Sequence, residues 1–211
     1  MVNLLAILAT AYVIGSFPTS IVTSKLLRGI DIRQHGSGNA GGTNVFRVLG
    51  AGPGLFVMAV DIFKGFAATF WISRLWWSEM PIAFEGVQLL TGAAVIAGHI
   101  WTLFAGFRGG KGVGTAAGML LAIYPVALSI CLLVFAAVFA VSRIVSLSSM
   151  SAAMALPVVL TLFKWVLGRP VATALYLFSF LAAGLILFTH RSNIRRLLAG
   201  TEHRFGAKRR Q

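Results

Sequence analysis

Residues 112–142 read GVGTAAGMLLAIYPVALSICLLVFAAVFAVS, 31 residues with no charged side chain, His, Asn or Gln. As one helix they would extend about 46 Å, too far for a single crossing of a hydrocarbon core roughly 30 Å thick and short for two. Five more apolar runs surround this one, at 4–24, 54–73, 89–107, 144–163 and 171–189, interrupted only by Asp61, Lys64 and His99. Charge decides the count. A split between Tyr124 and Pro125, where proline can close one helix and open the next, gives seven helices. Then 25–47, 108–111, Arg143 and 190–211, which hold 14 of the 18 Lys and Arg, fall on one side. With six helices the basic tail would lie opposite the first basic loop. The positive-inside rule therefore selects an all-α integral membrane protein of seven transmembrane helices, N-terminus outside and C-terminus cytoplasmic.

The composition agrees. Of 211 residues 58% are hydrophobic and 11% charged, and the mean hydropathy is +0.88. Soluble domains carry about a quarter charged residues, so a water-facing surface is excluded. The net charge of +13 would suit a nucleic-acid partner if it were spread over a soluble face, but here it is confined between apolar runs and reads as membrane orientation. Backbone at membrane depth must satisfy its own hydrogen bonds, which makes helices the default, and no barrel-like alternation appears. Run 4–24 has no basic segment before it and is long enough to span, so it reads as a retained first helix rather than a cleaved signal. The lone Cys131 packs as a small hydrophobe. With no repeat or linker, 1–211 reads as a single membrane domain whose cytoplasmic motif loops are 28–47, 107–115, 142–149 and 190–202.

The first loop interleaves Ser37, Asn39, Thr43, Asn44 and Arg47 with glycines that let backbone N–H groups approach a ligand, forming an anion cradle; a flexible connection is the bland alternative. Gly36, Gly38 and Gly41 also fit G-x-G-x-x-G, but no βαβ unit surrounds them and Asp61 lies mid-span, so a dinucleotide site is rejected. The second loop, FRGGKGVGT (107–115), sets Lys111 among glycines at a helix start, which suits phosphate. It lacks the first Gly and the Ser or Thr of a Walker A motif, and orientation charge alone is the alternative. Beyond the last span, His190 and Asn193 share a helical face, and Ile194, Leu197 and Leu198 form a small apolar stripe; a basic lipid anchor would leave His190, Asn193 and Glu202 without a role. Asp61 and Lys64, spaced i, i+3, can pair inside the membrane. His99 reads as a hydrogen-bonded interfacial histidine, and no metal-ligand spacing is present.

Taken together, GSGNAGGTN (36–44) with Arg47, Asp61-x-x-Lys64-Gly65, GH (98–99) leading to FRGGKGVGT (107–115), SRIVSLSS (142–149) and HRSNIRRLLAGTE (190–202) resemble the bacterial acyl-phosphate:glycerol-3-phosphate acyltransferases, the PlsY family. The motifs run in order over nearly the whole chain. Gly42 and Gly114 stand where Ala is usual, Thr102 where Pro is usual, and Arg108 where Lys is common.

The resemblance implies an enzyme of the plasma (inner) membrane with its active site at the cytoplasmic face. It would transfer a fatty acyl group from acyl phosphate to the 1-hydroxyl of glycerol 3-phosphate, the first acylation step of phospholipid synthesis, without cofactor or metal. Its catalytic residues would be His190, Asn193 and Ser37. Arg47, Lys111, Asn39, Thr43, Asn44, Gly109, Gly110 and Ser146 would bind substrate phosphate, with Glu202, Asp61 and Lys64 structural nearby. Partners would be the two substrates, membrane lipid and, functionally, the soluble enzyme that makes acyl phosphate. None of the four histidines has Asp five residues on, where Ala40, Phe104, Arg195 and Lys208 stand, so the histidine–aspartate motif of acyl-CoA-type enzymes is absent. A mixed anhydride needs no covalent enzyme nucleophile, which favours direct attack by the hydroxyl, its proton passing to His190 or to the donor's phosphate. The rival from another class is a small transporter for a phosphorylated anion, which would need a continuous polar path through the bundle.

Overall fold

The structure, a computed structural model, describes residues 2–76 and 82–206. Lys208, Arg209 and Arg210, part of the basic tail, lie outside the described residues. Among those described, regular structure is helical, and the chain divides into two compact units, Met1–Tyr124 and Pro125–Gln211. The first holds α1 (Val2–Ser16), α2 (Thr19–Arg28), α3 (Gly42–Leu49), α4 (Ala51–Phe70), α5 (Phe84–Ile100) and α6 (Val113–Ile123). The second holds α7 (Pro125–Ser142), α8 (Val145–Thr161), α9 (Thr173–Thr189) and α10 (Arg191–Leu198).

Five helical stretches among the described residues are long and apolar enough to cross a membrane: Val2–Arg28, Ala51–Arg74, Phe84–Ala105, Pro125–Ser142 and Val145–Val166. The pair α9 and α10 makes a sixth if its 61° bend lies within one span. Leu55, Leu133 and Leu181 on these helices are exposed, as the lipid-facing side of a membrane helix would be. The helix breaks at Tyr124, and α7 opens on Pro125, whose missing N–H needs no partner in a first turn. At eleven residues α6 is about 16 Å long and cannot cross alone. Its start explains why. Gly114 lies beside Asp61, and the backbones of Gly65 and Gly118 touch Thr115 and Ile62 so closely that a Cβ on either glycine would overlap them. Thus α6 begins level with Asp61, the eleventh residue of α4.

Three segments differ from the sequence reading. Run 4–24 is two helices, because Pro18 has no N–H to give the Ile14 carbonyl; Phe17 N donates there instead at 3.2 Å, and the Ser16 carbonyl takes the hydroxyl of Thr102. Residues Gly42–Leu49, read as loop, form the helix α3, so Thr43, Asn44 and Arg47 sit on helical spacing. Ser146, Ser148 and Ser149 likewise belong to the opening of α8.

Candidate active site

In the first unit, Asn44 ties the first loop into a fixed shape. Its Nδ2 shares two hydrogens among the carbonyls of Ile32 (3.1 Å), His35 (2.9 Å) and Asn39 (3.0 Å), and its Oδ1 accepts the Ser37 N–H at 2.8 Å. An amide buried to 1% exposure and bonded at both ends shapes the loop that presents Ser37, Asn39 and Thr43. Gly36 and Gly38 adopt the left-handed region (φ 62° and 74°) that the reversal requires. Arg47 follows one turn along α3.

The second loop folds back on the end of α5. Gly109 N donates to the Ile100 carbonyl and Gly110 N to the His99 carbonyl, each at 3.0 Å, so these two N–H groups, expected at a substrate phosphate, are committed to the protein's own backbone. They satisfy carbonyls that a helix end leaves open. The two loops are joined: Arg33 Nη1 donates to the Ala105 carbonyl at 2.8 Å while its Nη2 pairs with Asp31 at 2.7 Å. That hydrogen-bonded guanidinium holds the Asp31 carboxyl down at about 2, below its ordinary 3.8. Sequence reading passed over Asp31 and Arg33; two opposite charges at i, i+2 beside a glycine loop were the available signal.

Beneath the loops lies a buried ionic cluster. Asp61 Oδ1 is 2.8 Å from Lys64 Nζ, 3.5 Å from His99 Nδ1 and 3.4 Å from the Thr19 hydroxyl, and Lys64 also donates to the Phe17 carbonyl at 3.3 Å. Asp61 and Lys64 thus pair as their i, i+3 spacing predicts, but His99 joins them, which the sequence did not indicate. The three line a small cleft with Ser20, Ala40 and Gly110.

In the second unit, the hub is Glu202. Its Oε1 accepts the Ser146 hydroxyl at 2.9 Å and Asn193 Nδ2 at 2.7 Å; its Oε2 takes Arg196 Nε at 2.7 Å. Burial pushes the carboxyl up, but the three donors outweigh it and hold Glu202 below the usual range. His190 occupies the 61° bend between α9 and α10 and is buried. Its Nδ1 lies 2.8 Å from the Ile186 carbonyl. A carbonyl only accepts, so Nδ1 carries a proton and the ring is oriented by the backbone of its own helix.

The chain matches the glycerol-3-phosphate acyltransferase family model over residues 5–200. It is 46% identical to a glycerol-3-phosphate acyltransferase of Pelodictyon phaeoclathratiforme (strain DSM 5477 / BU-1), covering 99% of this chain and all of that one. It is 43% identical to its counterpart in Chlorobaculum tepidum (strain ATCC 49652 / DSM 12025 / NBRC 103806 / TLS), again over 99% and 100%. Among solved structures it resembles PlsY, described as an integral membrane glycerol 3-phosphate acyltransferase. The glycerol 3-phosphate form matches with TM-score 0.82 and 36% identity over 96% of both chains. The lysophosphatidic acid form matches with TM-score 0.79 over 96% and 95%, also at 36% identity. Motifs, apolar helices and these likenesses agree, and the chain belongs to the PlsY family of integral membrane glycerol-3-phosphate acyltransferases.

Proposed function

We propose that the protein transfers a fatty acyl group from acyl phosphate to the 1-hydroxyl of glycerol 3-phosphate, giving 1-acyl-glycerol 3-phosphate and inorganic phosphate. The observation that carries this reading is the joined pair of glycine loops bearing Arg47 and Lys111, in a chain that shares its fold with a structure in the glycerol 3-phosphate form. Arg47 and Lys111 bind phosphate, with Ser37, Asn39 and Thr43 beside them; Asn44, Gly109 and Gly110 act through loop shape. The hydroxyl attacks the acyl carbon, the carbon–oxygen bond to phosphate breaks, and the proton passes to His190 Nε2 or to the departing phosphate. Asn193, Ser146 and Glu202 hold the polar end of the second unit, the Ser146 hydroxyl proton, expected at a substrate phosphate, being given to Glu202. The motifs run in order along nearly the whole chain, and 1–211 is read as one catalytic domain. Seven crossings, N-terminus outside, place every motif in the cytoplasm at the inner membrane, with α6 completing its crossing through the submerged chain before it.

Purified protein in lipid, given labelled glycerol 3-phosphate, is expected to turn over with acyl phosphate alone and to release one phosphate per product. Turnover with acyl-CoA or acyl carrier protein but not acyl phosphate overturns the donor. A charge-assisted contact is worth roughly 1.5–3 kcal/mol, so folded Arg47→Ala and Lys111→Ala should use glycerol 3-phosphate about ten to a hundred times less well. Single cysteines at Ser37, Arg108 and Ser192 in a Cys131→Ser background should label from the same face; opposite labelling of Ser37 and Ser192 defeats seven crossings.

A further inference from the structure

His99 connects two things that the reaction keeps apart, the intramembrane ion pair and the loop carrying Lys111. Its imidazole is buried and held at both ends. Nδ1 faces Asp61 Oδ1 at 3.5 Å, and that carboxylate is itself fixed by Lys64 at 2.8 Å. Nε2 lies against Gly110, where a Cβ would overlap it, and the Ala40 carbonyl of the first loop stands 2.9 Å from the same point. The backbone of His99 holds the same glycine, taking the Gly110 N–H at 3.0 Å. Gly110 is therefore clamped between a histidine ring and the first loop, and the next residue is Lys111.

We propose that His99 is a positioning residue: it transmits the fixed place of the Asp61 carboxylate to Gly110 and so sets where Lys111 meets the phosphate of glycerol 3-phosphate. The proposal rests on the reading of Lys111 as a phosphate-binding group. Removing the ring opens space beside Gly110 and leaves the loop next to Lys111 to its backbone bonds, and misplacement by about 1 Å is enough to cost up to a hundredfold in an enzyme site. A histidine that only supported packing would lower stability without selecting one substrate.

The test is steady-state kinetics for both substrates with wild type, His99→Ala, Lys111→Ala and the double variant, in lipid. His99→Ala should raise the KM for glycerol 3-phosphate about tenfold, while kcat and the KM for acyl phosphate change less than about threefold. Because His99 acts through Lys111, the double variant should be no worse than Lys111→Ala. His99→Asn keeps a donor where Nδ1 stands but leaves Gly110 uncovered, and His99→Gln reaches toward Gly110 but gives up Nδ1, so each should keep a raised KM for glycerol 3-phosphate. The Asn and Gln pair carries the test if His99→Ala does not accumulate folded. Additive losses in the double variant, a change confined to kcat, or a wild-type KM for glycerol 3-phosphate in folded His99→Asn and His99→Gln overturns the proposal. If folded Lys111→Ala keeps the wild-type KM, the phosphate reading itself fails and the proposal falls with it. Impaired Lys111→Ala beside unimpaired His99→Ala defeats the proposal alone.

Discussion

Each unit is organised around one buried carboxylate, and the two are satisfied differently. Asp61 lies mid-helix and takes its cation from its own helix one turn on, with His99 and Thr19 completing the set. Glu202 lies beyond the last long helix and relies on two neutral donors, Ser146 and Asn193, with Arg196 partly exposed beside it. Depth accounts for the difference. Where water is excluded, a bare charge is expensive and needs a counter-charge in fixed register; near the interface hydrogen bonds and a solvated guanidinium suffice. Coupling differs too: the Asp61 cluster supports backbone loops through His99, whereas Glu202 directly orients Asn193.

The largest expected effect breaks the first arrangement. Asp61→Ala leaves Lys64 buried and uncompensated, a loss of about 3–5 kcal/mol, visible as a lowered Tm in detergent. Asp61→Leu with Lys64→Met should regain most of that stability, since an apolar pair replaces a desolvated one. A double variant no more stable than Asp61→Ala would mean that His99 and Thr19, not the ion pair, carry the cost.

Glu202→Gln should cost less, about 1–3 kcal/mol, because the amide oxygen still accepts from Ser146 and Asn193 while its nitrogen faces Arg196. The folded carboxyl is held below its ordinary 4.5, so the stability it provides is present above that pH and lost as pH falls through the lowered value. The difference in Tm between wild type and variant should accordingly be constant near neutrality and close in acid. A difference that widens in acid would remove Glu202 from its place as the hub.

How far these contrasts could be read from sequence depends on what fixes them. The pairing of Asp61 with Lys64 follows from helical spacing, and the pair is buried; His190, expected on one helical face with Asn193, sits instead at the bend that precedes α10. The break at Tyr124 followed from proline and loop charge. At Pro18 the same residue type was overlooked, because an uninterrupted apolar run masked the lost N–H. The roles of Asn44, Gly109 and Gly110 were less legible: a polar or glycine-rich loop reads as ligand-binding, and only in the folded chain do its donors close on carbonyls of the same loop or of α5. The approach of His99 to Asp61, 38 positions apart in sequence, depends on packing of α4 against α5 and leaves no local signal.

The smallest effect concerns the third ion pair, Asp31 with Arg33, which tests whether depth is what separates the first two. Its side chains retain 19% and 29% of their exposure, so solvent screening reduces its worth to about 1 kcal/mol or less despite the marked drop of the Asp31 carboxyl to about 2. A carboxyl lowered from 3.8 to about 2 contributes fully above pH 3.8, and its contribution fades as pH falls to about 2. Asp31→Asn should therefore lower Tm slightly at neutral pH, with the gap closing across that window. Arg33 keeps its bond to the Ala105 carbonyl, so the loops stay joined and turnover of glycerol 3-phosphate should fall less than about threefold. A loss as large as that of Asp61→Ala would show that joining the two loops, rather than depth in the membrane, sets the value of a carboxylate in this unit.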